Sequence, residues 1–213
     1  MNKERVMSSI PRAADDTPSS CPYHKPDQTS TSSSNSNSEN WVYPSPQMFW
    51  DAMRRKGSLP AHLSDASAPQ TQAELDWIVT IHNVVNEQCW QEISKWERFD
   101  KEGCSPSGPV KKEAGDIALQ RFLGRPNDLS PRAWFKSKLM GAKRPFDRHD
   151  WYVRLPDDRI RRYVIDFYTG KADTQSAAGA FYLDVRPAFD DPQSALLRAR
   201  KFFCDLLSQK KNK

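Results

Sequence analysis

No run of about 18 apolar residues, the least that spans a bilayer as a helix, occurs anywhere in this sequence of 213 residues. The opening stretch, MNKERVMSSIPRAADD, has no apolar centre of the kind a secretory leader needs. Its early acids and sparse arginines argue, less strongly, against a matrix presequence. Cysteine is scarce: Cys21, Cys89, Cys104 and Cys204 are the four present, spaced too widely for a C-x-x-C clip or a zinc ribbon. No disulfide scaffold is expected from them. There is no G-x-S-x-G, no H-E-x-x-H, no P-loop and no dinucleotide fingerprint. Ordinary hydrolase, kinase and dehydrogenase chemistry therefore finds no support.

Positive charge and aromatic rings are plentiful. A formal net charge of +5 favours anionic partners, and leaves nucleic acid, anionic lipid, an acidic protein and a carboxylate-bearing cofactor all open. Seven Trp, ten Phe and six Tyr are enough to build a core for one domain in the later part of the chain. Residues 1–40, which include the run TSTSSSNSNSEN, carry too little apolar area to offset the entropy of ordering them, and read as a disordered arm. Residues 41–213 read as a single domain.

Within that domain, Ser45 and Pro46 open a helix that Gly57 closes, by N-cap and first-turn proline logic. A long helix, roughly Ala73 to Lys101, carries the apolar stripe Leu75, Ile78, Val79, Val85, Cys89, Ile93 and Trp96. Ser130 and Pro131 open a third helix. The runs WYVRL, RRYVIDFY and AFYLDV then alternate as strands and predict a three-stranded antiparallel meander. An amphipathic helix from about Asp191 to Ser208 follows, using Ala195, Leu196, Ala199, Phe202, Phe203 and Leu206. The fold class is α+β: a long helix and shorter helices packed with a small antiparallel sheet.

Three groups of residues could carry chemistry. His82 and Asn86 fall inside the apolar stripe of the long helix. The common fate of such a histidine is a core position with satisfied ring nitrogens. The alternative is a neutral imidazole presented to a metal, its second nitrogen held by Asn86; no zinc set surrounds it, so haem iron suits it better. Cys89, on the same face, reads as a buried small hydrophobe. The second group is the basic, aromatic segment from Arg121 to Arg148, which suits stacked bases on a phosphate backbone or a flat macrocycle with two propionates, if it is not simply a solvated basic face. Within it, Asp147, His149 and Asp150 could form a hydrogen-bonded cluster. The third is Cys21-Pro22 with His24 nearby, either a stiffened turn or a soft axial contact for haem.

The segments NWVYPSPQMFWDAMRRKG, IHNVVNEQCWQEISKWE, SPRAWFKSKLMGAKRPFDRHDWYVR, RYVIDFYTG and LDVRPAFDD, in this order from Trp41 to about Arg200, together resemble holocytochrome c synthase, the cytochrome c haem lyase family. The Cys-Pro pair in the arm also fits that family. The resemblance implies a lyase that attaches reduced haem b to the C-x-x-C-H segment of apocytochrome c, through one thioether at each vinyl group. It implies His82 as the axial ligand to haem iron, with Cys21 as a transient one. It singles out Trp41, Tyr43, Met53, Glu87 and Arg154 for haem or substrate handling, with Asn86 beside the imidazole and Arg148 among the candidates for the propionates. Ile78, Val85 and Cys89 then become the expected wall of a haem pocket. It further implies the mitochondrial intermembrane space, peripheral association with the inner membrane, and no nucleic-acid partner. A non-catalytic haem chaperone or sensor using the same residues is the alternative.

Overall fold

The computed structural model describes residues 1–13, 40–104, 117–170 and 181–211. It is an α+β arrangement built around one long helix. In chain order the elements are β1 (Met7–Pro11), β2 (Asn40–Val42), α1 (Pro46–Arg55), α2 (Pro69–Glu102), β3 (Ala118–Gly124), α3 (Pro131–Leu139), β4 (Asp147–Arg154), β5 (Ile160–Thr169), β6 (Phe181–Pro187) and α4 (Pro192–Lys211). A short 3₁₀ turn, Ala61–Leu63, lies between α1 and α2.

The caps follow from the sequence. The Ser45 hydroxyl accepts from the Met48 amide at 3.3 Å, with Pro46 just inside α1. Ser130 does the same for Ala133 at 3.1 Å. Each satisfies one of the amides that a helix start leaves without a partner.

Helix α2 serves two cores. Its first turns bury Leu75 against Trp50 and Leu63, with Met53 and Ile78 packed beside them. Its later turns bury Cys89, Trp90 and Ile93 against Trp151, Val153, Tyr163 and Ile165 of the sheet. The same stripe runs through both, and between them sit His82 and Asn86.

The sheet is an antiparallel meander ordered β3-β4-β5-β6. Trp151 stands opposite Tyr163, and Asp150 opposite Val164, so odd-numbered residues of β4 and β5 face α2. Even-numbered ones build a buried ionic layer on the other side. There Asp150, fully buried, accepts from Arg148 at 2.9 Å and from Arg162 at 2.6 Å. Asp166 accepts from Arg186 at 2.6 Å and from Ser130 at 2.6 Å. On the helix side, Arg161 reaches Glu97 at 2.8 Å and Asp100 at 2.9 Å, locking α2 to the sheet.

Four expectations are corrected. Residues 1–13 do not belong to a disordered arm: β1 pairs with β2, and Ile10 is buried in the main core, so a few well-placed apolar side chains outweigh the polar composition around them. The sheet has four strands rather than three, because β3 adds to the edge of the expected meander. Cys104 and Cys204 form a disulfide, a pairing that spacing along the chain does not reveal. Finally, α4 does not bury its apolar stripe. Leu197 faces inward while Leu196, Phe202 and Phe203 are 61%, 65% and 60% exposed.

Candidate functional site

Where α2 passes from one core to the other, packing stops and a cavity of about 400 Å³ opens, within the roughly 300–1,000 Å³ range of small-molecule sites. Its walls come from six elements and the chain beside them. α1 supplies Phe49, Met53 and Lys56 at its end. α2 supplies His82 and Asn86. Ile10 comes from β1, Trp41 and Tyr43 from β2 and the residue after it, and Leu119, Phe122, His149 and Trp151 from β3 and β4.

One wall is a row of rings. Trp41 meets Phe122 edge-on at 5.9 Å, and Phe122 meets Trp151 at 6.3 Å. The Trp41 indole donates to the Leu119 carbonyl at 3.2 Å, which fixes its plane. Such a wall suits a flat apolar ligand.

His82 projects from α2 into this space. Its ring is open to the cavity, so its accessible area is large, yet protein surrounds it on the other sides. That desolvation lowers its pKa from the ordinary 6.5; nearby His149 lowers it further and Asp147 partly opposes both. Neither ring nitrogen of His82 has a hydrogen-bond partner among the described residues, and the ring lies near that of Phe49, centroids 6.1 Å apart. A neutral imidazole with a free nitrogen facing a cavity has the lone pair that a metal ligand needs.

The lowered pKa has a measurable consequence. Unfolding takes up a proton between the folded and unfolded values, so this group's contribution to stability is complete above about 6.5 and declines as pH falls through the folded value. Titrating the His82 ring by NMR is expected to give a midpoint below 6.5; one at or above it would show that the ring is not desolvated.

His149, the second histidine of the cavity, is held differently. Its Nε2 lies 3.1 Å from Oδ2 of Asp147, while Nδ1 is buried without a partner, as is the Nε1 of Trp151. Orphaned polar atoms in a cavity lining are costly unless something fills the space. The expected cluster is only half formed, because Asp150 points to the opposite face of the sheet and serves the arginines there. Among the described residues no group of three or more His, Cys, Asp or Glu is placed to hold a bare metal ion. The donor set, one open imidazole among rings, fits an iron carried in a macrocycle.

Glu87 stands one turn beyond Asn83, behind Tyr43. Its carboxylate accepts from the Ser8 hydroxyl at 2.6 Å, the Ser9 amide at 3.0 Å, the Tyr43 phenol at 2.9 Å and the Ser9 hydroxyl. Burial works against its charge, but these donors outweigh it and hold its pKa below the ordinary value. Burial, with Glu87 adjacent, raises that of Tyr43. The knot clasps β1 onto α2 and so closes one side of the cavity. Replacing both Ser8 and Ser9 by alanine removes hydrogen bonds to a charge worth about 1.5–3 kcal/mol each. The Tyr43 amide, bonded to the Val6 carbonyl at 2.9 Å, is then expected to exchange its hydrogen at least about a hundredfold faster. Unchanged exchange would show that the clasp does not hold the strand.

Of the residues singled out in the sequence, the fold brings Trp41, Tyr43, Met53, His82 and Asn86 to one cavity. Asn86 makes no hydrogen bond to His82. Arg148 is committed to Asp150 and Arg154 closes the far end of β4, so neither lines the cavity. Cys21 lies outside the described residues. Ile78 and Val85 pack on the two cores, and Cys89 is fully buried with its thiol pushed up to about 12 by burial; none is a cavity wall. Arg5 and Ile10 were not foreseen; His149 was expected in a cluster with Asp147 and Asp150, and Phe122 lies in the basic, aromatic segment, but neither was expected specifically as a wall of this cavity.

Comparison with known proteins bears on this site. A family model described as Cytochrome c/c1 heme lyase matches residues 1–202. The chain is 40% identical over 201 residues to a putative holocytochrome-c1 synthase of Chaetomium thermophilum, covering 93% of this chain and 63% of that protein. It is 45% identical over 150 residues to the holocytochrome c-type synthase of Gallus gallus, 70% of this chain and 49% of that one. With the holocytochrome-c synthase of Saccharomyces cerevisiae it shares 34% over 224 residues, 96% and 69% of the two chains. The chain thus spans about half to two thirds of the length of these relatives. No solved structure matches it.

Proposed function

Because this chain belongs to the cytochrome c/c1 heme lyase family, we propose that it is a holocytochrome c synthase, taking haem b with reduced iron and an apocytochrome c as its substrates. At each vinyl group one thiol of the C-x-x-C-H segment adds across the double bond, sulfur to one carbon and hydrogen to the other, so no oxidant or reductant enters the balance. The observation that carries this reading is the open, neutral imidazole of His82 facing a cavity walled by rings.

His82 would bind the iron from one side, and the histidine of the substrate segment from the other. That double ligation would bring the two cysteines to the vinyl groups. The gain is one of positioning, which contributes up to about 7–11 kcal/mol when the reacting atoms are held near attack geometry. Trp41, Phe122 and Trp151 would hold the macrocycle in plane. Arg5 and Lys56, the cations in the cavity lining, are the candidates for the propionates, in place of Arg148. No side chain is placed as a base for the thiols.

The proposed location is the mitochondrial intermembrane space, peripheral on the inner membrane. The Cys104–Cys204 disulfide suits an oxidising compartment. The deciding experiment is co-expression with apocytochrome c, or with the c₁ apoprotein, and haem. Haem that stays on the substrate after acid-acetone extraction is expected. Haem that co-purifies with this protein but never becomes covalent would favour a haem chaperone or sensor instead, and which apoprotein is matured sets the substrate.

A further inference from the structure

The outward stripe of α4 is a second surface in search of a partner. At 100° per residue, Leu196, Phe202, Phe203, Leu206 and Leu207 fall on one side of the helix, and all are exposed. The opposite side holds the helix in place through Leu197, Ser194 and the disulfide of Cys204. A contiguous apolar face on a helix anchored by its other face is not a folding remnant; such patches mark contacts.

Charge indicates the kind of contact. Beside the stripe runs a cleft of about 860 Å³ between α2, α4 and the end of β6. Lys95, Arg98, Arg132, Arg186, Arg198 and Lys201 line it with Glu92 and Asp205; Arg186 is paired with Asp166 and Asp184, and Arg132 with Asp184. Glu92 and Asp205 are already paired, with Lys95 at 2.6 Å and Lys201 at 2.5 Å. Arg98 and Arg198 have no carboxylate partner among the described residues. The Arg198 guanidinium reaches only the Pro187 carbonyl at 3.3 Å and the face of Phe189 at 3.7 Å. Desolvation lowers its pKa to about 10, with Arg186 and Arg132 adding to the shift and Asp184 opposing it. The sequence continues with Lys210, Lys211 and Lys213.

We propose that α4 and its basic cleft form the docking surface for an anionic phospholipid bilayer, with the Phe and Leu side chains in the interface and the arginines on the lipid phosphates. Aromatic and Leu side chains on one face with Lys and Arg flanking them is the pattern of a helix that lies in a membrane surface without crossing it. No helix among the described residues is long and apolar enough to cross. Other occupants fit less well. Residues 14–39, 105–116 and 171–180 offer only Tyr23 and Val110 as large apolar side chains, too few to cover the stripe. A second copy would bring its own arginines against these.

This inference rests on the proposed peripheral association with a membrane, and the test separates the two. The whole protein is sedimented with phosphatidylcholine vesicles, either pure or containing about a quarter phosphatidylglycerol. Binding to the anionic vesicles only, weakened by salt, is expected. Phe202→Glu with Phe203→Glu should lower it at least tenfold, and Leu196→Glu should act likewise, while haem loading stays intact. Arg98→Gln with Arg198→Gln should abolish the preference for anionic lipid. If the wild type binds and the Phe variant binds equally well, the assignment of α4 fails and the peripheral reading stands. If the wild type binds neither vesicle, both fail. Equal binding to both vesicle types, or a dimer broken by the Phe substitutions without vesicle binding, overturns the lipid assignment.

Discussion

Replacing His82 by alanine is expected to weaken haem binding at least about a hundredfold and to leave the fold unchanged. The structural part of this expectation follows from what the ring does not do. It donates and accepts no hydrogen bond among the described residues, its ring faces the cavity rather than filling a core, and alanine is the best helix former. Loss of stability should stay within about 0.5 kcal/mol, as for surface substitutions generally. The chemical part follows from what the ring alone offers. Changing a group that merely orients a metal ligand costs roughly 10–100-fold in affinity, so losing the ligand itself should cost at least about a hundredfold. Absorption of the purified protein in the Soret region and thermal unfolding check the two parts. His149→Ala is the control, since its Nε2 is tied to Asp147; a Soret band lost in that variant but kept in His82→Ala would transfer the iron to the other histidine.

Asp150→Ala is expected to be the most damaging single change to stability. Its carboxylate, fully buried, neutralises Arg148 and Arg162 and lies 3.4 Å from Nε of Arg125. Removing one partner of a buried ion pair leaves uncompensated charge and costs about 3–5 kcal/mol. For a chain of this size that is roughly 10 °C in Tm. Urea unfolding checks it, and a loss under about 1 kcal/mol would show that the arginines find water or other acceptors. The effect would also reach the site, because His149 and Trp151 flank Asp150 on the strand that forms its wall.

The sequence announced some of this architecture and concealed the rest for physical reasons. Ser45-Pro46 and Ser130-Pro131 are local signals, since a cap needs only its own helix. The stripe of α2 was equally plain, and so was the oddity of a histidine in it. That His82 faces a gap between two cores was not, because the gap exists only once α1 and the sheet are in place. Strand β3 escaped because Ala118–Gly124 lies between segments rich in Gly, Pro and Lys, and its partner β4 begins only at Asp147, beyond α3. Strand β1 escaped because MSSIP has little apolar content of its own; its clasp depends on Glu87, 78 residues beyond Ser9. The outward turn of α4 reverses what amphipathicity ordinarily implies, and no local signal distinguishes the two orientations.

The Cys104–Cys204 disulfide, 100 residues apart in the chain, makes a closed covalent ring of β3, α3, β4, β5, β6 and most of α4. A single cut anywhere inside that ring opens it without dividing the molecule. After limited proteolysis at one bond between residues 104 and 204, the protein is expected to migrate as one species without reductant and as two fragments with it. Two fragments under both conditions would mean that the ring is not closed in solution. The four-stranded sheet is thus held by topology as well as by hydrogen bonds, and the helix proposed to rest on lipid stays tethered to the one that bears His82 even when the chain between them is broken.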